Sequence, residues 1–277
     1  MKMITKLLFW GVLLSIVGCA ENRTRAELQA EKDEINRQQL ATEVNDELTV
    51  GKQIAARLIG HFGLYKGNPA VTEYVNLIGQ TLVQQSGRPE LSYKFAILKS
   101  EDINAFACPG GYIFVTQGLL KSAQNEAEIA GVLAHEIAHI NEKHMYSEIA
   151  PKREVSSSET LVRLMSRGKS DISGSLTKMI DSGLKMLLVE GISKDKEYAA
   201  DRAGVLYAAG SQYQPVGLLN LVRRMSGEQT LVSKTHPPMK DRVVALEKFI
   251  SENGLNGPSE SNEAVQSTRF KIALQKI

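Results

Sequence analysis

The sequence predicts a mainly helical α+β fold with one small antiparallel sheet. Two observations carry that prediction. Apolar residues recur at helical intervals through most of the 277 positions, and only about three short segments alternate as strands do. Each such element has one apolar face to hide, and helices packed against a small sheet hide both kinds.

At the N-terminus, Lys2 and Lys6 precede a twelve-residue apolar run, Leu7 to Gly18. That run is too short to span a bilayer as a stable helix and suits a secretory signal peptide. It ends Ile16-Val17-Gly18-Cys19, which resembles a bacterial lipobox. The resemblance implies cleavage after residue 18 and a lipid on Cys19. Ala20 stands where an Asp is associated with inner-membrane retention in Gram-negative lipoproteins, so the same resemblance implies the periplasmic face of the outer membrane. Losing residues 1–18 removes two of the 33 basic residues and none of the 31 acidic ones, which leaves a formally neutral chain. That balance speaks against a nucleic-acid partner and against an electrostatically held membrane surface, so attachment rests on the lipid. With Cys19 lipidated, Cys108 stands alone, an intramolecular disulfide is excluded, and stability must come from packing.

Glu21 to Asn45 is dense in Glu, Lys, Arg, Gln and Asn and reads as a solvated tether of fraying helix. Val44, Leu48, Ile54, Leu58 and Phe62 then recur at near-helical intervals. Val71, Val75, Ile78 and Leu82 repeat the pattern after the breaker Gly67-Asn68-Pro69. His61, with no partner motif beside it, is expected to be structural. Leu91 to Leu98 alternates as a strand, and Ile103 to Ala107 and Tyr112 to Thr116 flank the turn sequence Pro109-Gly110-Gly111. An open strand edge there, at Asn104, Ala105 and Phe106, would receive an extended peptide by backbone pairing; packing alone is the competing role.

Asn125 to His144 is apolar-periodic and contains His135-Glu136-Ile137-Ala138-His139. At about 100° per residue, His135 and His139 lie roughly 40° apart and reach one metal ion, with Glu136 offset beside them. A metal ion with an open position lowers the pKa of a coordinated water from about 15.7 to about 7. A carboxylate must then take the proton, and Glu136, which is not needed as a ligand, is the expected general base. His144, nine residues beyond His135, falls about 180° round the helix. It is expected to serve a hydrogen bond or packing at the helix end, away from the metal. Two imidazoles leave zinc one protein ligand short, and Glu148, Glu154, Glu159 and Glu190 are acidic possibilities among which spacing does not choose. Cys108 is expected to be a buried small hydrophobe in preference to a ligand.

The run Asn104-Ala105-Phe106-Ala107-Cys108-Pro109-Gly110-Gly111-Tyr112-Ile113-Phe114-Val115, then Gly118-Leu119-Leu120, then Asn125-Glu126-Ala127-Glu128 leading into His-Glu-x-x-His, closely resembles the HtpX and CAAX prenyl endopeptidase family of zinc peptidases. The likeness covers Val44 to about Ile250 and is strongest to small periplasmic lipoprotein members without transmembrane helices or repeats. The resemblance implies a gluzincin-like fold, and it matches Glu197-Tyr198-Ala199-Ala200-Asp201 to the family's downstream helix. There Glu197 completes a two-His, one-Glu set, and Asp201, one turn on, orients a ligand imidazole. Thr235-His236-Pro237-Pro238 and Arg242 match a further family pattern. His236, Arg242 or both are expected to donate to the oxyanion that develops in peptide hydrolysis. The other role open to His236 is to cap the free metal position at rest.

These readings divide the chain into a signal peptide (1–18), a polar tether (19–45), a zinc metallopeptidase domain (46–250) and a C-terminal tail (251–277). Within the domain, Val155 to Ser175 reads either as a mobile flap over the cleft or as a surface helical excursion, and Ile180 to Val189 is apolar with a helical period. Phe270 to Ile277 reads as a short docked helix. The expected function is a periplasmic endopeptidase using one zinc ion on misfolded or unassembled envelope polypeptides. The competing function is an outer-membrane-protein assembly factor or chaperone with low or regulated proteolysis. A CAAX-processing role is weaker, because relatives with that activity are membrane-embedded and the mature chain has no long apolar segment. Nothing in the sequence speaks to oligomeric state.

Overall fold

The computed structural model describes residues 25–150, 169–226, 238–255, 257–275 and 277, with the backbone alone for 169–173. The signal peptide, Cys19, His236, Glu154 and Glu159 lie outside the described residues. The chain divides into two compact units, Met1–Asp46 and Glu47–Ile277. In the first, residues 25–46 are the opening turns of α1 (Arg25–Phe62). They are mostly solvent-exposed and joined by local pairs such as Arg37 with Glu34 at 2.7 Å, as the polar composition requires.

In the second unit, the later turns of α1 bury Val50, Ile54, Ala55 and Leu58; of the predicted stripe Ile54 and Leu58 are buried, while Leu48 and Phe62 are half-buried. Helix α2 (Pro69–Val83) starts where Pro at its first turn needs no donor and Asn68 Oδ1 accepts from Ala70 N at 3.0 Å. The strands are β1 (Lys94–Leu98), β2 (Ala105–Cys108) and β3 (Tyr112–Thr116). The spatial order is β1-β3-β2, with β2 antiparallel to β3 and β1 parallel to it. The sheet is therefore mixed, which corrects the expectation of an antiparallel one. Alternation reports which residues face the core but not which neighbour a strand chooses. Here the connection after β1 carries β2 past β3, and Thr116 pins it by accepting from Asn104 N at 3.0 Å. The β2–β3 turn uses Gly110 and Gly111 at φ 77° and 95°, in the left-handed region that favours glycine. Buried Glu47 accepts from Gly110 N at 3.1 Å and pairs with Arg88 at 2.9 Å, which fastens this hairpin to α1.

Short α3 (Gln117–Ser122) leads into α4 (Glu126–Asn141), in which every residue from Glu126 to Ile140 is buried. Such a helix must satisfy its ends internally. Asn125 Oδ1 caps Glu128 N at 3.0 Å, and the acidic first turn is met by Arg224 on Glu128 at 2.7 Å and Arg269 on Glu126 at 3.0 Å. After Lys143, left-handed at φ 51°, comes α5 (His144–Ile149).

Helix α6 (Lys169–Lys185) continues into a π turn, Met186–Glu190, closed by Gly191 at φ 74°. Ile180 belongs to the core, and Met179, Leu184 and Leu187 pack against it. Of the proposed flap, residues 155–168 lie outside the described residues. Helices α7 (Lys194–Gly210) and α8 (Gly217–Met225) pack on α4, and α9 (Met239–Glu252) packs on those two. The terminal α10 (Glu260–Leu274) begins earlier than the sequence leads one to expect and docks through Arg269 and Gln266. Among the described residues no helix is long and apolar enough to cross a membrane.

Candidate metal centre

Two helices build the site. In α4, Ala130, Ala134 and Ala138 are fully buried, and in α7 so are Ala200 and Gly204's neighbour Val205, so the two helices approach closely. Gly204 lies against the backbone of His135, where a Cβ would come within 2.9 Å of the nitrogen. This approach brings the ends of three side chains together. His135 Nε2 and His139 Nε2 are 3.0 Å apart, and Glu197 oxygens stand 3.6 Å and 3.4 Å from them. All three ligand atoms lie within 4.8 Å of one another and all three residues are buried.

The outer nitrogens decide whether that cluster fits a cation. His135 Nδ1 is 3.0 Å from Asp201 Oδ1, a carboxylate that calls for the ring proton on that side. Asp201 is itself gripped by Arg242 through Nε at 2.9 Å and Nη2 at 2.6 Å. Burial alone would raise the Asp201 carboxyl, but the charge and hydrogen bonds of Arg242, with His135, hold it well below the usual carboxylate range. An anionic Asp201 favours the His135 proton at Nδ1, which leaves the lone pair at Nε2. His139 Nδ1 meets His144 Nδ1 at 3.0 Å. Nε2 of both imidazoles and a carboxylate thus converge in a buried space, and these residue types are a donor set for a metal cation.

Glu136 is buried beside this cluster, and burial first, then the Glu197 carboxylate, push its carboxyl up to about 8 against the opposing pull of Arg242. A carboxyl in that range exchanges protons near neutral pH. It borders two cavities. One is lined by Ala105, Ala107, Glu136, His139, Leu187 and Glu197. The other lies on the His135 side and is walled by Leu119, Val132, Leu221 and Met225 with Arg242 also in its lining. Asn104 and Ala105 border both. Phe106 reaches the first cavity, but its side chain is in the apolar core, with its ring 5.6 Å from that of Phe62.

Of the residues that the sequence offers as ligands, base or orienting groups, His135, His139, Glu197, Glu136 and Asp201 come together. Glu148 pairs with Lys196 and Glu190 with Lys185, each half-exposed and outside the cluster. Cys108 packs in the core, its thiol raised by burial. His61 meets Phe62 edge-on at the end of α1. Two of the Arg242 guanidinium nitrogens are taken by Asp201, which places it behind His135, while it also lines the second cavity with Glu136; nothing in the sequence pairs residues 41 apart. The helical wheel also placed His144 opposite the metal face. It is indeed outside the ligand set, but the helix breaks at Lys143 and returns His144 to the back of His139.

A model of one family, "Peptidase family M48", matches residues 69–250. The chain belongs to peptidase family M48. Among relatives of this M48 chain, the mitochondrial metalloendopeptidase OMA1 of Schizosaccharomyces pombe is 29% identical over 65% of this chain and 53% of its own length. The β-barrel assembly-enhancing protease of Yersinia pestis is 28% identical over 64% of this chain and 38% of its own. An HtpX protease homologue of Salinibacter ruber is 27% identical over 56% and 67%. The chain spans about half, or less, of the length of the first two.

Proposed function

We propose that this M48 family chain is a zinc endopeptidase, exported and held by a lipid on Cys19 at the periplasmic face of the outer membrane, where it removes misfolded or unassembled envelope polypeptides. The observation that carries the reading is the convergence of His135, His139 and Glu197 beside Glu136 and the edge of β2. Two imidazoles and one carboxylate, with no fourth side chain in the cluster among the described residues, are the donor set of a catalytic zinc. Bound there, zinc would supply the Lewis acidity that polarises a scissile carbonyl and acidifies the attacking water.

The chain's own residues do the rest. Glu136 takes the proton of the water and returns it to the leaving amine. Thr116 N donates to Asn104 O, and Phe106 is in register with Phe114, so Asn104 and Phe106 turn their backbone groups toward β3. Ala105 and Ala107 then turn theirs to the outer edge, where the described residues place no further strand. A peptide added at that edge is held by its main chain, which suits unfolded substrates of varied sequence. The lipobox-like Cys19 and the β-barrel assembly role that names the Yersinia relative support the envelope location.

Wild type and Glu136→Gln, compared on an unfolded protein with metal content measured in both, test the mechanism. Cleavage should fall roughly 10²- to 10⁴-fold with metal retained. Equal cleavage by the two proteins defeats it. The assembly-enhancing role of the Yersinia relative favours a second reading, in which the chain acts as an assembly factor. Rescue of an envelope defect by Glu136→Gln as good as that by wild type would support it.

A further inference from the structure

We infer that His144 is a positioning residue of the metal site: its neutral imidazole accepts the Nδ1–H of His139 and so holds that ligand's Nε2 lone pair on the ion. The inference rests on the metal site described above. His144 Nδ1 lies 3.0 Å from His139 Nδ1, with the ring centroids 5.0 Å apart and the planes at 74°, an edge-on approach that aims one nitrogen at the other. Both residues are only 5% exposed, so water does not compete for the contact. Two facing ring nitrogens hold one proton between them. His139 turns Nε2 toward His135 and Glu197, so a ligand lone pair there requires the proton at Nδ1, and His144 must then be the acceptor with its own proton at Nε2.

The two ligand imidazoles are therefore backed differently. His135 is supported by an anion, Asp201, that Arg242 locks in place; His139 is supported by an uncharged ring. A carboxylate behind an imidazole raises its basicity, whereas a neutral acceptor fixes orientation with less electron donation. The second support is also wired to the third ligand. Lys196, one residue before Glu197, donates to His144 O at 3.2 Å and to Ser147 at 3.1 Å. The backbone of His144 is thus tied to the first turn of the helix that carries Glu197, while its ring is tied to His139. The left-handed residue Lys143 makes both contacts reachable, because an unbroken α4 would point residue 144 away.

The test separates the acceptor from mere packing. In Asn the amide oxygen falls near the position of the imidazole Nδ1 and preserves an acceptor; His144→Leu and His144→Gln do not place one there. Zinc affinity of the full mature chain is measured by chelator competition, together with thermal unfolding in chelator. His144→Leu and His144→Gln should weaken zinc binding about 10- to 100-fold, and His144→Asn only a few-fold. In the zinc-loaded wild type, the imidazole ¹⁵N spectrum should show His139 protonated at Nδ1, a signal kept in the Asn variant. Equal zinc affinity in wild type, Leu and Gln variants, or losses that follow unfolding temperature with Asn no better than Gln, would overturn the inference. If the Leu variant does not fold, the Asn and Gln pair decides the same question. Wild type that binds no zinc sinks the metal reading itself, an outcome distinct from wild type that binds zinc regardless of residue 144.

Discussion

Replacing Gly204 by alanine sets a new carbon 2.9 Å from His135 N, 3.0 Å from His135 Cα and 3.3 Å from the Ala134 carbonyl carbon. None of these can swing away, because all three are backbone atoms of a buried helix. Restoring ordinary contact, about 3.5–4.0 Å between carbons, requires α7 to retreat from α4 by roughly 0.5–1 Å. Asp201 and Glu197 lie one and two turns before Gly204 on the same helix, so they move with it, and the 3.0 Å and 3.6 Å approaches to His135 lengthen. Overpacking of this kind costs about 1–3 kcal/mol, against which alanine's better helix propensity returns about 1 kcal/mol. Gly60 supplies the control, since it is an exposed helical glycine with nothing within 4 Å of the point where an added methyl would sit. Gly60→Ala should raise stability by up to about 1 kcal/mol. Thermal unfolding in chelator reads the packing cost, and chelator competition reads zinc affinity, expected to fall about 10- to 100-fold in Gly204→Ala alone. A Gly204→Ala protein that unfolds like Gly60→Ala and binds zinc like wild type would refute the claim that close approach of these two helices sets the ligand geometry.

The Arg242 and Asp201 pair should behave as a buried unit. Arg242→Met strands an anion behind His135 and should cost about 3–5 kcal/mol in urea unfolding of the metal-free protein, and adding Asp201→Asn should recover part of that loss. Strictly additive losses would show that the pair is not coupled. The same carboxyl sets an acid dependence. Its folded pKa is depressed, so it contributes stability above the unfolded value, near 3.9, and loses it as pH falls further toward the folded one. The stability gap between metal-free wild type and Asp201→Asn should accordingly narrow as pH drops through about 4, and a constant gap down to about pH 3 would contradict the assignment.

Much of this site was legible in sequence because its chemistry is local. His135, Glu136 and His139 lie on one helix, where a fixed angle per residue converts spacing into direction. The period that includes Ile54 and Leu58 marks the buried face of α1 for the same reason, and the strand segments and the glycine turn lie close to where the sequence places them. Glu197 and Asp201 stand outside that local reach, and the family resemblance, not their spacing, connected them to the histidines.

What the sequence determined by itself, then, was the existence of the strands and of the helices with a clear apolar period, and the direction side chains take within an unbroken one. Only the tertiary structure decided the relations between elements: that β1 runs parallel to β3, that Arg242 is held by Asp201, and that Lys143 breaks the helix and turns His144 back onto His139. The physical reason is the range of the forces involved. Backbone periodicity is written in neighbouring residues, whereas strand partners, buried ion pairs and a left-handed helix end are selected by burial and hydrogen bonding among groups that become neighbours only after the chain has packed.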